Sequence, residues 1–240
     1  MSPPAPLRWQ TARVVDVRRE TPRAVTLALD VGEWPGHRAG QHVDVRLTAE
    51  DGYQAQRSYS IASPPLASVL EITVERLEDG EVSPWLAGEA QAGDEFELRG
   101  PIGGYFVWEP AKGGPLLLVA GGSGLVPLMC IERLRRAAAP EVASTLLVSA
   151  RGPDDLIYAD ELREGPAVLT YTREQPAGWT GYARRADREL LSDVAPPPEQ
   201  RPRCYVCGPT TFVEVVAEQL VALGHHRALI KTERFGATGG

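Results

Sequence analysis

Two clusters in this 240-residue chain carry side chains suited to holding nucleotides. The first is Arg57-Ser58-Tyr59-Ser60, continuing as Ile61-Ala62-Ser63. The second is the run Leu117-Leu118-Val119-Ala120, which breaks into Gly121-Gly122-Ser123-Gly124. In the first cluster, the Arg57 guanidinium is a fork of donors that fits phosphate oxygens. Tyr59 offers a flat face for ring stacking, and Ser60 offers a hydroxyl for a polar ring edge. A flavin asks for that set: a cation for its phosphate, a partner for the isoalloxazine and a contact at N5. Taken alone, the same residues also describe an ordinary strand end with an exposed arginine and a packing tyrosine. Gly80-Glu81-Val82-Ser83-Pro84-Trp85 adds a turn and a helix start, where free amides attract a pyrophosphate. Its plain alternative is a capped surface turn, with Ser83 as N-cap and Pro84 behind it.

The second cluster is a strand, a glycine turn and the start of a helix. Glycines at such a turn let a dinucleotide pyrophosphate approach the backbone. The spacing is not G-x-G-x-x-G, and Leu125 stands where a G-x-S-x-G nucleophile turn would need glycine. A purely structural glycine turn is the alternative. Cys204-Tyr205-Val206-Cys207-Gly208-Pro209 closes a later strand. One C-x-x-C pair supplies two metal ligands at most, so no metal site is expected. Cys207, at the strand's carboxyl end, is placed to line a ligand crevice, whereas Cys204 reads as a small core residue.

The elements that must position these residues differ between the two halves. Val25, Leu27 and Leu29 alternate with polar neighbours. So do Val43, Val45 and Leu47, then Leu70, Ile72 and Val74, then Phe96 and Leu98. Period two with Gly, Pro and Asp turns predicts an antiparallel β-barrel. Beyond 109–115, a linker by composition, short apolar runs at 116–120, 144–149, 167–171 and 204–207 alternate with helical patterns over 125–139 and 210–223. That alternation predicts a doubly wound parallel sheet. The domains expected are residues 1–110 and 111–240.

Composition bounds the partners. Hydrophobic content of 43% with 24% charged residues is that of a globular protein. A net charge of −7 argues against nucleic acid as partner. No apolar run is long enough for a membrane span, and the start Met1-Ser2-Pro3-Pro4 resembles no leader, so the cytoplasm is the expected compartment. Three cysteines are too few for a [2Fe–2S] cluster, so an iron–sulfur partner is expected on another chain.

In order along the chain, Arg57–Ser60, Gly80–Ser83, Gly100-Pro101-Ile102-Gly103-Gly104-Tyr105-Phe106, Gly121–Gly124 with Pro127, and Cys207–Pro209 resemble the ferredoxin–NADP(+) reductase-like flavoproteins. The resemblance covers essentially the whole chain. Thr232-Glu233-Arg234-Phe235 is similar to the closing segment of related reductases. It implies FAD on a six-stranded Greek-key barrel and NAD(P)H on a five-stranded parallel sheet. The flavin contacts then comprise Arg57, Ser58, Tyr59, Ser60, Thr73, Val74, Gly80, Val82 and Ser83. Gly121, Gly122, Ser123, Gly124, Gly208 and Pro209 receive the nicotinamide dinucleotide. Cys207 sits by the nicotinamide, Glu233 at the flavin edge as a proton relay, and Phe235 is the candidate aromatic cover. Ser60, Cys207 and Glu233 form the expected catalytic set.

Thr172-Arg173-Glu174-Gln175 is similar to the Ser-Arg-Glu-Gln with which plant-type reductases grip the 2′-phosphate of NADPH. Arg184 and Arg185 lie close enough in sequence to add charge. Glu174 and Trp179-Thr180-Gly181, which resembles NADH-using oxygenase reductases, keep NADH open. The activity expected is electron transfer from NAD(P)H through FAD to a separate ferredoxin or oxygenase component. A diffusible flavin, ferric or quinone reductase is one alternative, and a non-catalytic nucleotide-sensing module is another.

Overall fold

Period-two alternation builds the first sheet of the computed structural model, which describes residues 7–235; the N-terminal stretch read above for a leader lies outside them. Its strands are β1 (Gln10–Thr21), β2 (Ala24–Asp30), β3 (His42–Thr48), β4 (Gln54–Ser60), β5 (Leu70–Glu75) and β6 (Glu95–Ile102). They pair antiparallel in the order β4-β3-β6-β1-β2-β5. A bridge between Ile61 and Ile72 carries the end of β4 onto β5 and closes the ring. Val14, Val25, Leu27, Val43, Val45, Ile72, Val74 and Leu98 fill the interior, and Leu86 of α1 (Ser83–Gly88) plugs it. Hydrophobic alternation reveals neither the largely polar β4 nor β1. A register shift between Val14 and Asp16 breaks its period, and Val15 is left outside.

The second sheet comprises β7 (Leu116–Gly121), β8 (Ser144–Ala150), β9 (Val168–Tyr171), β10 (Arg203–Pro209) and β11 (Ile230–Phe235). All pairings are parallel, in the order β11-β10-β7-β8-β9. Central β7 is apolar throughout because both its faces are covered. Leu116, Leu118 and Ala120 meet α2 (Leu125–Ala138) on one face. Leu117 and Val119 face α4 (Arg188–Val194) and α5 (Thr210–Ala222) on the other. A short α3 (Ala159–Glu164) follows β8. Strand order reverses between β7 and β10, so a crevice opens at their carboxyl ends, where such sheets take ligands.

The segment between the sheets is no loose tether. Phe106 and Trp108 enter the same core as Leu116, Leu118 and α2. Phe106 meets Tyr205 edge-on at 5.3 Å, and the Tyr205 hydroxyl donates to the Val107 carbonyl at 3.0 Å. Trp108 donates from its backbone to Ala39 and from its indole to the Gly113 carbonyl, so both its N–H donors are satisfied. Trp108→Ala is therefore expected to cost about 3–5 kcal/mol, read by chemical denaturation. Val215→Ala, at an exposed position of α5, should stay within about 0.5 kcal/mol.

Candidate active site

The residues after Gln54 alternate across β4, so Arg57 and Tyr59 project to one side and Ser58 and Ser60 to the other. Arg57 pairs with Glu81 at 2.6 Å, and the Tyr53 hydroxyl bonds the same carboxylate. Glu81 thereby ties Arg57 to the turn Gly80–Ser83. Neither Glu81 nor Tyr53 was singled out from sequence, since a surface carboxylate and a surface tyrosine carry no motif. Tyr59 lies half-buried against the barrel core, and burial pushes its phenol well above the ordinary range.

Ser83 is not an N-cap: Val82 holds that position, and the buried Ser83 hydroxyl accepts from Leu77 N–H at 3.0 Å. The Ser58 hydroxyl donates to Asp44 at 2.6 Å, which also holds Arg99. Val74 points into the barrel, and its backbone pairs with Val25 of β2. Thr73 faces outward from β5.

The second half of the site lies in the crevice at the sheet's carboxyl end. Gly122 has φ +55°, and nothing stands within 4 Å of where a Cβ would project, so a phosphate has room at the backbone. Gly124 is required for the opposite reason: a Cβ there would stand inside the Cys207 carbonyl. This contact brings the start of α2 against the end of β10. Ser123 completes a single 3-10 turn between β7 and α2, and Gly208 and Pro209 close β10. Cys207 and Glu233 are register partners on β10 and β11, and Pro209 pairs with Phe235. The Cys207 thiol is wholly buried and pushed well up by that burial, then by Glu233. It is a neutral wall rather than a nucleophile. Burial also lifts the Glu233 carboxyl from its ordinary 4.5 to about 7.

Four buried side-chain atoms have no partner among the described residues, Ser60 Oγ, Ser144 Oγ, His225 Nδ1 and Glu233 Oε2, and the first and last belong to residues of the candidate site. An unsatisfied buried group costs about 1–3 kcal/mol. A ligand with a hydrogen-bonding edge removes that cost, so these two side chains fit a flavin with one polar ring edge.

At the carboxyl ends of β8 and β9 a cavity of about 180 Å³ is lined by Arg151, Gly152, Asp154, Asp155, Arg173 and Glu174. Arg173 is exposed at this cavity. The Thr172 hydroxyl donates to the Ala150 carbonyl at 3.2 Å. Arg184 does not add free charge: Asp187 and Glu189 each hold it at 2.7 Å. Arg185 is exposed. Trp179 folds edge-on over Tyr171 at 4.9 Å and donates to the Tyr182 carbonyl, packing the loop that follows β9. Among the described residues no helix is long and apolar enough to cross a membrane.

A closed antiparallel barrel beside a parallel sheet, with a glycine turn at the switch point, defines a two-domain flavin and dinucleotide oxidoreductase. Residues 20–107 match the oxidoreductase FAD-binding domain, and residues 118–218 match the oxidoreductase NAD-binding domain. The chain belongs to the ferredoxin–NADP(+) reductase-like flavoproteins. NADH oxidoreductase HCR of Escherichia coli is 32% identical over 216 residues, 88% of this chain and 64% of that protein. The glycine betaine monooxygenase reductase subunit of Chromohalobacter salexigens is 33% identical over 83% of this chain and 56% of its own length. The chain thus spans under two thirds of these relatives. The Amycolatopsis cytochrome P450 reductase GcoB superposes with a TM-score of 0.82 at 29% identity, covering 98% of this chain and 72% of that one.

The raised Glu233 carboxyl makes stability depend on pH in a defined direction. Between about pH 4.5 and 7 the folded chain keeps a proton that the unfolded chain has released. Stability therefore falls as pH rises through that window, by on the order of 2–3 kcal/mol, and levels off above it. Urea denaturation at pH 5 and pH 8 should show this fall in the wild type and a flatter profile in Glu233→Gln.

Proposed function

We propose that this protein is a reductase that passes electrons from NAD(P)H through FAD to a separate one-electron acceptor, a ferredoxin or an oxygenase component. The observation that carries the reading is the pair of partnerless buried groups, Ser60 Oγ and Glu233 Oε2, in a chain that has a flavin barrel and a dinucleotide crevice. The relatives' names support the choice of acceptor: one is an NADH oxidoreductase, one a monooxygenase reductase subunit and one a cytochrome P450 reductase. When bound, FAD accepts a hydride from the nicotinamide and passes the two electrons on singly.

This chain's residues hold and orient. Arg57, paired with Glu81 of the Gly80–Ser83 turn at 2.6 Å, exchanges that carboxylate for the flavin phosphates when FAD binds, with Tyr59 against the ring and Thr73 on the strand beside it. Ser60 directs its hydroxyl to the polar ring edge. Cys207 walls the nicotinamide side and excludes water. Glu233, near 7, holds or releases one proton at Oε2 at working pH. Phe235, packed against the α/β core, borders this end of the site. Most of the rate then comes from placing two rings in contact.

Stopped-flow mixing with NADPH, then with a plant-type ferredoxin and cytochrome c, tests the reading. Expected are bleaching of the yellow protein and cytochrome c reduction that requires the ferredoxin. Ferredoxin-independent turnover with free flavin, ferric ion or quinone would instead make it a diffusible reductase, and no bleaching with either coenzyme would make it a binding module.

For the coenzyme we read NADPH, on Arg173 at the mouth of the cavity beyond β9. Asp154, Asp155 and Glu174 line the same cavity and favour the second reading, NADH, because carboxylates hold ribose hydroxyls. Arg173→Ala should raise KM for NADPH roughly tenfold, the loss of one charged contact, and leave KM for NADH unchanged. A wild-type preference for NADH, or equal effects on both, overturns the NADPH reading.

A further inference from the structure

Tyr158, between β8 and α3, has a left-handed backbone, φ +57° and ψ +33°, which a bulky residue adopts only when its surroundings force it. It is no surface turn, being 4% exposed. Its side chain leaves the α/β half and reaches the outer face of the barrel, where its hydroxyl and that of Thr73 share a hydrogen bond. Thr73 lies 2.8 Å from the Thr26 hydroxyl, its cross-strand partner on β2. Thr26 donates to Glu20 Oε1 at 2.7 Å, and Glu20 Oε2 accepts the backbone N–H of Tyr158 at 3.3 Å. The carboxylate can only accept, so the direction is forced: Tyr158 donates to Thr73, Thr73 to Thr26, and Thr26 to Glu20.

The ring of bonds closes on Tyr158 itself and crosses between the two halves twice. Arg133 of α2 seals it. Its guanidinium lies 4.5 Å above the Tyr158 ring, donates to the Ala62 carbonyl at 2.9 Å and pairs with Glu161 at 2.6 Å.

We propose that Tyr158 is a positioning residue, an interdomain latch that fixes the nicotinamide-binding half against β5 and so sets the approach of the two rings. The proposal rests on the reading above in which Thr73 belongs to the strand that borders the flavin. A left-handed backbone is what turns this side chain out of its own domain. The polar ring gives it one orientation, whereas apolar packing alone would tolerate sliding.

The test uses the FAD-loaded protein and two variants, Tyr158→Phe and Thr26→Val. The second breaks the ring from the barrel side at a residue itself assigned to neither nucleotide. Expected for both are unchanged FAD content, unchanged KM for NAD(P)H and a roughly tenfold fall in flavin reduction rate at saturating coenzyme. Backbone amide exchange should rise together at residues 71–74 and 158–162, on opposite sides of the interface.

A lowered melting temperature with an unchanged reduction rate overturns the proposal and leaves Tyr158 a packing residue. Unchanged exchange on either side overturns it as well. If Tyr158→Phe does not fold, Thr26→Val decides alone on the same criteria. A wild type that NAD(P)H does not reduce would refute the assigned function, while the exchange measurement would still judge the latch.

Discussion

The structure depends on α2 being buried on two sides. Leu125, Val126, Leu128, Met129, Cys130, Ile131 and Leu134 all lose contact with water, and even Glu132 is buried. A helix so apolar around its circumference cannot sit on a surface. The parallel sheet covers one flank through Leu118 and Ala120, and the barrel covers the other through Ala39, Ala62 and the Ser63 carbonyl, which accepts from Cys130 at 3.0 Å. Burying a helix between two folding units couples them. Separation would uncover the flank that meets Ala39 and Ala62, at about 25 cal/mol for each Å² of apolar surface exposed. The same helix begins at Gly124 against the Cys207 backbone, and Arg133 further along it bonds the carbonyl of Ala62, two residues past Ser60. Both halves of the candidate site are thus referenced to one rigid rod.

Around that rod the polar groups fall into two sets. Buried groups at the interface are satisfied: Tyr158, Thr73, Thr26 and Glu20 consume one another's donors, and Arg133 has its carboxylate. Four buried side-chain atoms stand without partners among the described residues: Ser60 Oγ, Glu233 Oε2, Ser144 Oγ and His225 Nδ1. Satisfied networks rigidify, whereas unsatisfied buried atoms store free energy that a ligand releases.

The chemistry-bearing residues were legible in the sequence where local geometry demands particular types. Gly122 needs a left-handed backbone and Gly124 a missing Cβ, so both show as glycine. Cys207 and Glu233 were legible through likeness to a family, and the structure sets them side by side on β10 and β11. Other features left no trace. β1 is interrupted by its bulge. Glu81 looks like any exposed acid until Arg57 lies 2.6 Å away. Arg184 reads as available charge until Asp187 and Glu189 neutralise it.

The amino-acid sequence by itself determined the two architectures, the glycine turn and the residue types at the site, because hydrophobic period, backbone sterics and side-chain chemistry are local properties. Tertiary structure alone decided which side chains are spent on one another and which remain for a ligand. It also decided that α2 has two buried flanks where its spacing, through Leu125, Leu128, Ile131 and Leu134, announced one. Tyr158 is the clearest case. Its role depends on Thr73, 85 residues away in sequence, and on a backbone state imposed by the packing of both domains. Partnership and burial are properties of pairs distant in the chain, and they come into being only when the chain closes on itself.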